Sequence, residues 1–320
     1  VARYLLTRLA ALLGIVFVVS VMCFLLVHMI PGDPAKAILQ IGSNPISDAR
    51  LDRRLGLDNG IFVQYWQYLV HAIHGNLGNS YSTQLPVSTL ISGAFKVDLE
   101  LVIYSQVIAY LLAVPLAVWS ARRPGSRGDQ TTTTLAFGFY SLPAFILVVW
   151  LIQLLTIHYH AFPGPGSVAF PSGGTWYGDI LTNLHVMLLP SLVLAIGTMA
   201  VYYRLLRGEL VLTLQEDFIT AARAKGLTTK RILWRHALRP SMSTLLSATG
   251  NNIALLITGL FIIEIKFGLQ GIGTLLYGAV GNNDYLLVQG IALVAAIVVV
   301  IVNFGIDLIS TFVDPRLTRA

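Results

Sequence analysis

The chain has 320 residues, of which 55% are hydrophobic and only 11% charged, and it carries a formal net charge of +6. A soluble domain carries about a quarter charged residues, so this chain cannot cover itself with polar side chains, and lipid must solvate much of it. Its single cysteine, Cys23, excludes an internal disulfide and a cysteine metal cluster, and there is no Walker A, G-x-G-x-x-G, G-x-S-x-G or H-E-x-x-H pattern to support an ATPase, hydrolase or metal centre.

In chain order, six apolar runs are long enough for transmembrane helices, since a helix crosses the ~30 Å hydrocarbon layer in about 20 residues. The first is Leu9 to Ile30, ended by Pro31-Gly32-Asp33-Pro34. It is too long for a signal-peptide core and lacks a small-x-small cleavage site, so it reads as an uncleaved anchor. The others are Leu99 to Ser120, Leu135 to Thr156 with Pro143 inside, Val186 to Tyr203 with Pro190 inside, Thr244 to Ile263, and Leu286 to Val313, the last long enough to tilt. The expected fold is an all-α membrane protein with six transmembrane helices. The expected organisation is residues 1–30 as tail and first helix, 31–98 as an external segment, 99–313 as the membrane core, and 314–320 as a cytoplasmic tail.

Charge orients the chain. Fifteen of the 21 Lys and Arg residues fall on one side: near Arg3 and Arg8, near Arg122, Arg123 and Arg127, between Arg204 and Arg239, and at Arg316 and Arg319. That side is predicted to be the cytoplasm, with both termini on it. The external segment should hold a short helix near Gln64 to His74, and the loop from Ile157 to His185 carries no Lys or Arg, while its Trp176 and Tyr177 suit a membrane interface.

The cytoplasmic insert 204–240 is the most informative stretch. Glu216 and Asp217 suit the N-terminal dipole of a short helix, and Gly226 suits a left-handed C-terminal cap. Thr228 or Thr229 can start a second helix, which Pro240 would interrupt. Ala221 and Ala222 would let another protein surface approach the backbone. A solvated basic hairpin that merely anchors the topology is the plainer alternative. A DNA-reading helix-turn-helix is disfavoured, because the insert is tethered at both ends by membrane spans.

Ala221-Ala222-x-x-x-Gly226 resembles the EAA loop of permease subunits from ABC-type importers. Thr-Ala-Ala-Arg-Ala-Lys-Gly-Leu followed by Arg-His-Ala-Leu-Arg is similar to the dipeptide and oligopeptide, or DppB/OppB-type, branch. The likeness runs through Arg3-Tyr4-Leu5-Leu6, Leu55-Gly56-Leu57-Asp58, Gly75-Asn76-Leu77-Gly78-Asn79-Ser80-Tyr81, Glu264-x-x-Phe267, Gly271-Ile272-Gly273, Asp284-Tyr285 and Asp314-Pro315-Arg316. Thr220 stands where the general motif has Glu.

The resemblance implies the ABC type I importer permease fold in a bacterial inner membrane. It also implies a second permease, two cytoplasmic ATPase subunits that hold ATP and Mg, and an external substrate-binding protein. No cofactor, metal or nucleic acid is expected on this chain. The coupling site to an ATPase subunit would be Glu216, Asp217, Thr220, Ala221, Ala222, Arg223, Lys225 and Gly226. The loop holding Glu264, Phe267, Gly268, Gly271, Gly273 and Asp284 would be an external gate, its glycines letting it fold back; an ordinary turn is the alternative. Polar side chains inside spans, Gln106, Gln153, Asn251 and Asn252, are candidates for the pathway or for interhelical hydrogen bonds, as is Asn303. Asp307 is expected to find a basic partner or water. The cargo expected is a di- or oligopeptide, with nickel or haem as the alternative within the family. A stand-alone secondary transporter is disfavoured, because acidic groups are scarce inside the spans.

Overall fold

The computed structural model describes residues 2–29, 60–166 and 176–313, and these are almost entirely helical. Pro31-Gly32-Asp33-Pro34, Leu55-Gly56-Leu57-Asp58 and the tail from Asp314 lie outside the described residues, as does the Asp307 side chain. Helices lie over each of the six predicted runs. They are α1 (Ala2–Met29), α2 (Ile61–Ile73), α3 (Val87–Ala121), α4 (Arg127–Ser141), α5 (Ala144–Leu151), α6 (Trp176–Thr213), α7 (Asp217–Ala224), α8 (Thr229–Arg231), α9 (Leu238–Gly259), α10 (Phe261–Phe267), α11 (Ile272–Gly281) and α12 (Tyr285–Val313). The short external helix predicted near Gln64 to His74 is α2.

Within the described residues, α3, α6 and α12 each contain a stretch long and apolar enough to cross a membrane, and α4 with α5 makes a fourth if the bent pair is one span. At 1.5 Å per residue the 35 residues of α3 and 38 of α6 reach about 50 Å or more, well beyond the hydrocarbon. Large apolar side chains stay exposed along α1, α3 and α5, among them Leu13, Phe17, Met22, Ile103, Leu111, Phe145 and Trp150. That is the surface expected of helices solvated by lipid.

Three expectations are corrected. The run Leu135 to Thr156 is not one helix: α4 and the stretch from Ala144 to His158 meet at 99°. Pro143 caps α5 rather than sitting inside a helix, and Leu142 before it is extended at φ −76°, ψ 125°, because the proline ring disfavours helical backbone in the preceding residue. Second, the insert is shorter than 204–240, since α6 continues to Thr213. Third, Pro240 interrupts nothing. From α8 the chain runs through a π-helical segment, Ile232–Ala237, straight into α9. The wider π turn lies where the ring of Pro240 would meet the carbonyl four residues back, so the helix absorbs the proline.

The chain divides into two compact units, one of 98–269 with 302–320, the other of 2–97 with 270–301. In the first, α6 is the hub against which α4, α5 and α9 pack. Ala109, Ala113, Ala117 and Ala121 form a fully buried stripe on α3 at four-residue spacing, in one cluster with Tyr202, Tyr203, Leu206 and Leu210 of α6. In the second unit α1 packs on α2 through Phe24, Tyr65 and Tyr68. The start of α3 meets α12 at Gly290, where a Cβ would stand 2.6 Å from Val87 Cγ1.

Candidate coupling site and gate region

The insert is mounted on the membrane helices through one face. Ile219 and Ala222, three residues apart and so on one side of α7, are buried in the cluster that holds Leu206 and Leu210 of α6, Ala117 and Ala121 of α3, and Ile232, Leu233 and Ala237. Asp217, Phe218, Thr220, Ala221 and Arg223 are exposed on the other side. The two alanines therefore face opposite ways, and Ala222 is not part of an outward contact surface. Adjacent residues on a helix are separated by about 100°, so the packing that buries Ala222 still leaves Ala221 exposed.

The end of α7 is a Schellman turn. Gly226 takes φ +76°, the Leu227 N–H donates to the Ala222 carbonyl at 3.3 Å, and the Gly226 N–H donates to the Arg223 carbonyl at 2.9 Å. Leu227 then packs on the same buried cluster. No atom lies within 4 Å of where a Cβ on Gly226 would stand, so the demand for glycine is one of backbone angle alone. Glu216 and Lys225 flank α7 as its N- and C-caps, and the Glu216 side chain makes no capping hydrogen bond.

Beside this mount lies a polar cluster that sequence reading missed. Asp129 on α4 is buried and accepts from Arg207 Nε and Nη2 of α6, both at 2.5 Å, and from the Gly125 N–H at 2.8 Å. Ser120 Oγ at the end of α3 also donates to Asp129, and it hydrogen-bonds Tyr203 Oη at 2.7 Å. One carboxylate thus ties α3, α4 and α6 at the end of the bundle that carries the insert. A signal existed: Ser126-Arg127-Gly128-Asp129 has the spacing of a capping box, and Ser126 Oγ does accept the Asp129 N–H.

In the loop after α9, Glu264 and Phe267 of α10 are buried. Gly268 adopts φ +68° and lies so close to Gly166 that a Cβ would stand 3.0 Å from the Gly166 nitrogen, which donates to the Phe267 carbonyl at 2.9 Å. The conformational reason offered for glycine holds at Gly268 alone. Gly271 is the extended N-cap of α11, and Gly273 lies within that helix, where any residue's backbone could sit.

Asp284 joins two motifs that the sequence left separate. It is wholly buried at the turn into α12 and accepts from Ser80 Oγ at 2.5 Å, Ser82 Oγ at 3.0 Å and the Ser82 N–H at 3.1 Å, while its second oxygen takes the Leu287 N–H at 3.3 Å. Burial alone would push this carboxyl up, but the hydrogen bonds from Ser80, Ser82 and the Tyr81 N–H outweigh it and hold the group below the usual carboxylate range. Burial and the neighbouring Asp284 charge push the Tyr81 phenol up to about 12.

The polar residues inside spans divide. Gln106 is buried and accepts from Tyr202 Oη at 2.6 Å, and Asn252 accepts from Thr198 Oγ1 at 3.3 Å, so both bond across to α6. Gln153, in the π-helical Ile152–His158 that continues α5, and Asn251 are exposed.

Long apolar helices, one pair of them sharply bent, with a capped helical insert mounted on the buried core of the first unit, are those of an integral membrane protein. The chain belongs to the family of binding-protein-dependent transport system inner membrane components, whose model matches residues 113–319; the model of the family's N-terminal region matches residues 1–102. The dipeptide transport system permease protein DppB of Escherichia coli K12 is 32% identical over 333 residues, covering 98% of each chain. The glutathione transport system permease protein GsiC of Escherichia coli O6:H1 is 32% identical over 323 residues, also covering 98% of each. Among solved structures, an inward-facing form of the MetNI methionine ABC transporter matches with a TM-score of 0.54 at 19% identity, over 70% of this chain and 96% of that one. The fold is that of an ABC type I importer permease.

Proposed function

We propose that this chain is one permease subunit of an ATP-driven importer that brings small peptides into the cytoplasm by alternating access. Relatives named for dipeptide and glutathione transport, matched end to end, support the peptide cargo. The chain works beside a second, similar permease. Two cytoplasmic ATPase subunits bind ATP and Mg²⁺ and do the hydrolysis, and an external binding protein delivers the peptide. The cation-rich side, with both termini, faces the cytoplasm.

The observation that carries this reading is the two-faced α7. Its inner face is locked into the buried cluster of α3, α6 and α9, and its outer face presents Asp217, Phe218, Thr220 and Ala221. A helix held this way moves with the bundle, which a coupling element must do. Arg223 and Lys225 add salt-sensitive contacts to an acidic rim. In this reading the α10–α11 region is the external gate and the exposed Gln153 and Asn251 line the path.

The test compares two arginines. Ala221→Arg should leave a folded permease in the membrane that no longer retains the ATPase pair on co-purification and no longer takes up labelled dipeptide. Ala222→Arg should instead lower the amount of folded permease, because it buries an unpaired charge. Full ATPase retention and uptake by Ala221→Arg would remove α7 as the coupling element.

A further inference from the structure

Two cavities open at the insert-bearing end of α3. One, of about 450 Å³, is lined by Pro115, Val118, Trp119, Arg122, Lys230, Leu233 and Trp234. The other, of about 430 Å³, shares Trp119 and Arg122 and adds Arg123, Ser126, Arg127 and Gly128. Together they bring four cations and two indoles to one groove and no carboxylate. Among the described residues none of the four cations is ion-paired, and the one acid of α4, Asp129, is buried against Arg207. Trp119 and Trp234 are each about half exposed, at 55% and 46%.

Trp119 of the groove also ends an apolar stripe on α3 that winds about 40° round the helix at each four-residue step. Leu99, Ile103, Val107, Leu111 and Trp119 recur at multiples of four along α3, and all are exposed. From Leu99 to Trp119 the stripe covers about 30 Å, the thickness of the hydrocarbon layer. It ends where the cations begin. Gly128 shapes this junction: a Cβ there would stand 2.5 Å from the Trp119 ring, so α4 passes directly over the indole and holds it at the mouth of the groove.

We infer that this groove binds an anionic phospholipid of the cytoplasmic leaflet, the phosphate between Arg122 and Lys230, the glycerol region beside the two tryptophans, and an acyl chain along the exposed Leu112, which lies one heptad below Trp119 on α3. Charge complementarity favours a lipid anion over a neutral one. Tryptophan is the residue that settles at headgroup depth, and arginine pairs bidentately with phosphate. The adjoining apolar stripe calls for a ligand with an acyl tail, which a soluble phosphate lacks. A merely topological cluster of cations would need neither the paired indoles nor the glycine that seats one of them.

The experiment is a native mass spectrometry titration of the permease, purified with the subunits that accompany it, using phosphatidylglycerol and phosphatidylcholine. Phosphatidylglycerol should bind more tightly, and Arg122→Gln with Lys230→Gln should weaken it roughly tenfold or more. Arg122→Lys and the remote Arg239→Gln should keep most of the affinity, and Trp119→Leu should lower it without removing a charge. Equal binding of the two lipids, or a double glutamine variant that keeps its preference, would overturn the inference. So would efficient cross-linking of a cysteine at Trp234, in a Cys23→Ser background, to another subunit, which would assign the groove to a protein partner. None of these outcomes bears on peptide transport, so the two readings fail separately.

Discussion

Removing the Asp129 carboxylate should unlock the end of the bundle that carries the coupling insert. The side chain of Asp129 is 3% exposed and that of its partner Arg207 is 26% exposed. Breaking a buried pair by deleting one member costs about 3–5 kcal/mol. Arg207 can recover some hydration, so Asp129→Ala is placed at the lower end, about 3 kcal/mol, or roughly a hundredfold in a local opening equilibrium. Replacing both partners, as Asp129→Leu with Arg207→Met, removes both charges and should cost only about 1 kcal/mol, mostly from the lost Ser120 and Gly125 partners. The assay is the N-ethylmaleimide labelling rate of Ala121→Cys, fully buried beside Ser120, in a Cys23→Ser background, at reagent levels where labelling follows the open population. The single variant should label roughly a hundredfold faster than the parent and the double variant within about tenfold of it. Parent-like labelling of Asp129→Ala, or single effects that simply add, would refute the claim that this pair holds the three helices together.

Further outcomes follow from the geometry. Gly226→Val should cost about 1–2 kcal/mol through its positive φ alone and weaken ATPase retention, whereas Gly226→Asn should be tolerated, since space is open there and Asn adopts left-handed backbone. Gly290→Leu should destabilise the second unit by about 1–3 kcal/mol through overpacking against Val87, seen as a lower thermal midpoint, while Gly278→Leu on α11, with open space, should not. Because the Asp284 pKa is depressed on folding, its contribution is complete above the unfolded carboxylate value near pH ~4 and is lost only as pH falls further, through the folded pKa. Amide exchange of residues 80–85, corrected for its intrinsic pH dependence, should therefore show constant protection between pH 5 and 8 and lose it in stronger acid. An Asp284→Asn variant should show the loss at every pH, because the amide nitrogen must face a donor on one side.

Composition and spacing alone determined that this chain lives in lipid, that helices lie over its apolar runs, and that residues 216–226 form a capped helix ending in left-handed glycine. Those are short-range matters, governed by hydrophobic run length, helix dipole and the steric demands on φ, and they were legible without a partner in view. Facing was not legible for Ala221 and Ala222, because small residues carry no amphipathic signature, and only the packing of Ile219 against α6 turned one alanine inward. The bend at Pro143 needed the same context: a proline inside an apolar run can kink a helix or end it. The pairs Asp129–Arg207 and Ser80–Asp284 join residues 78 and 204 positions apart. No local rule links such positions. Each buried carboxylate requires donors, and the tertiary structure alone decides which distant ones come within reach.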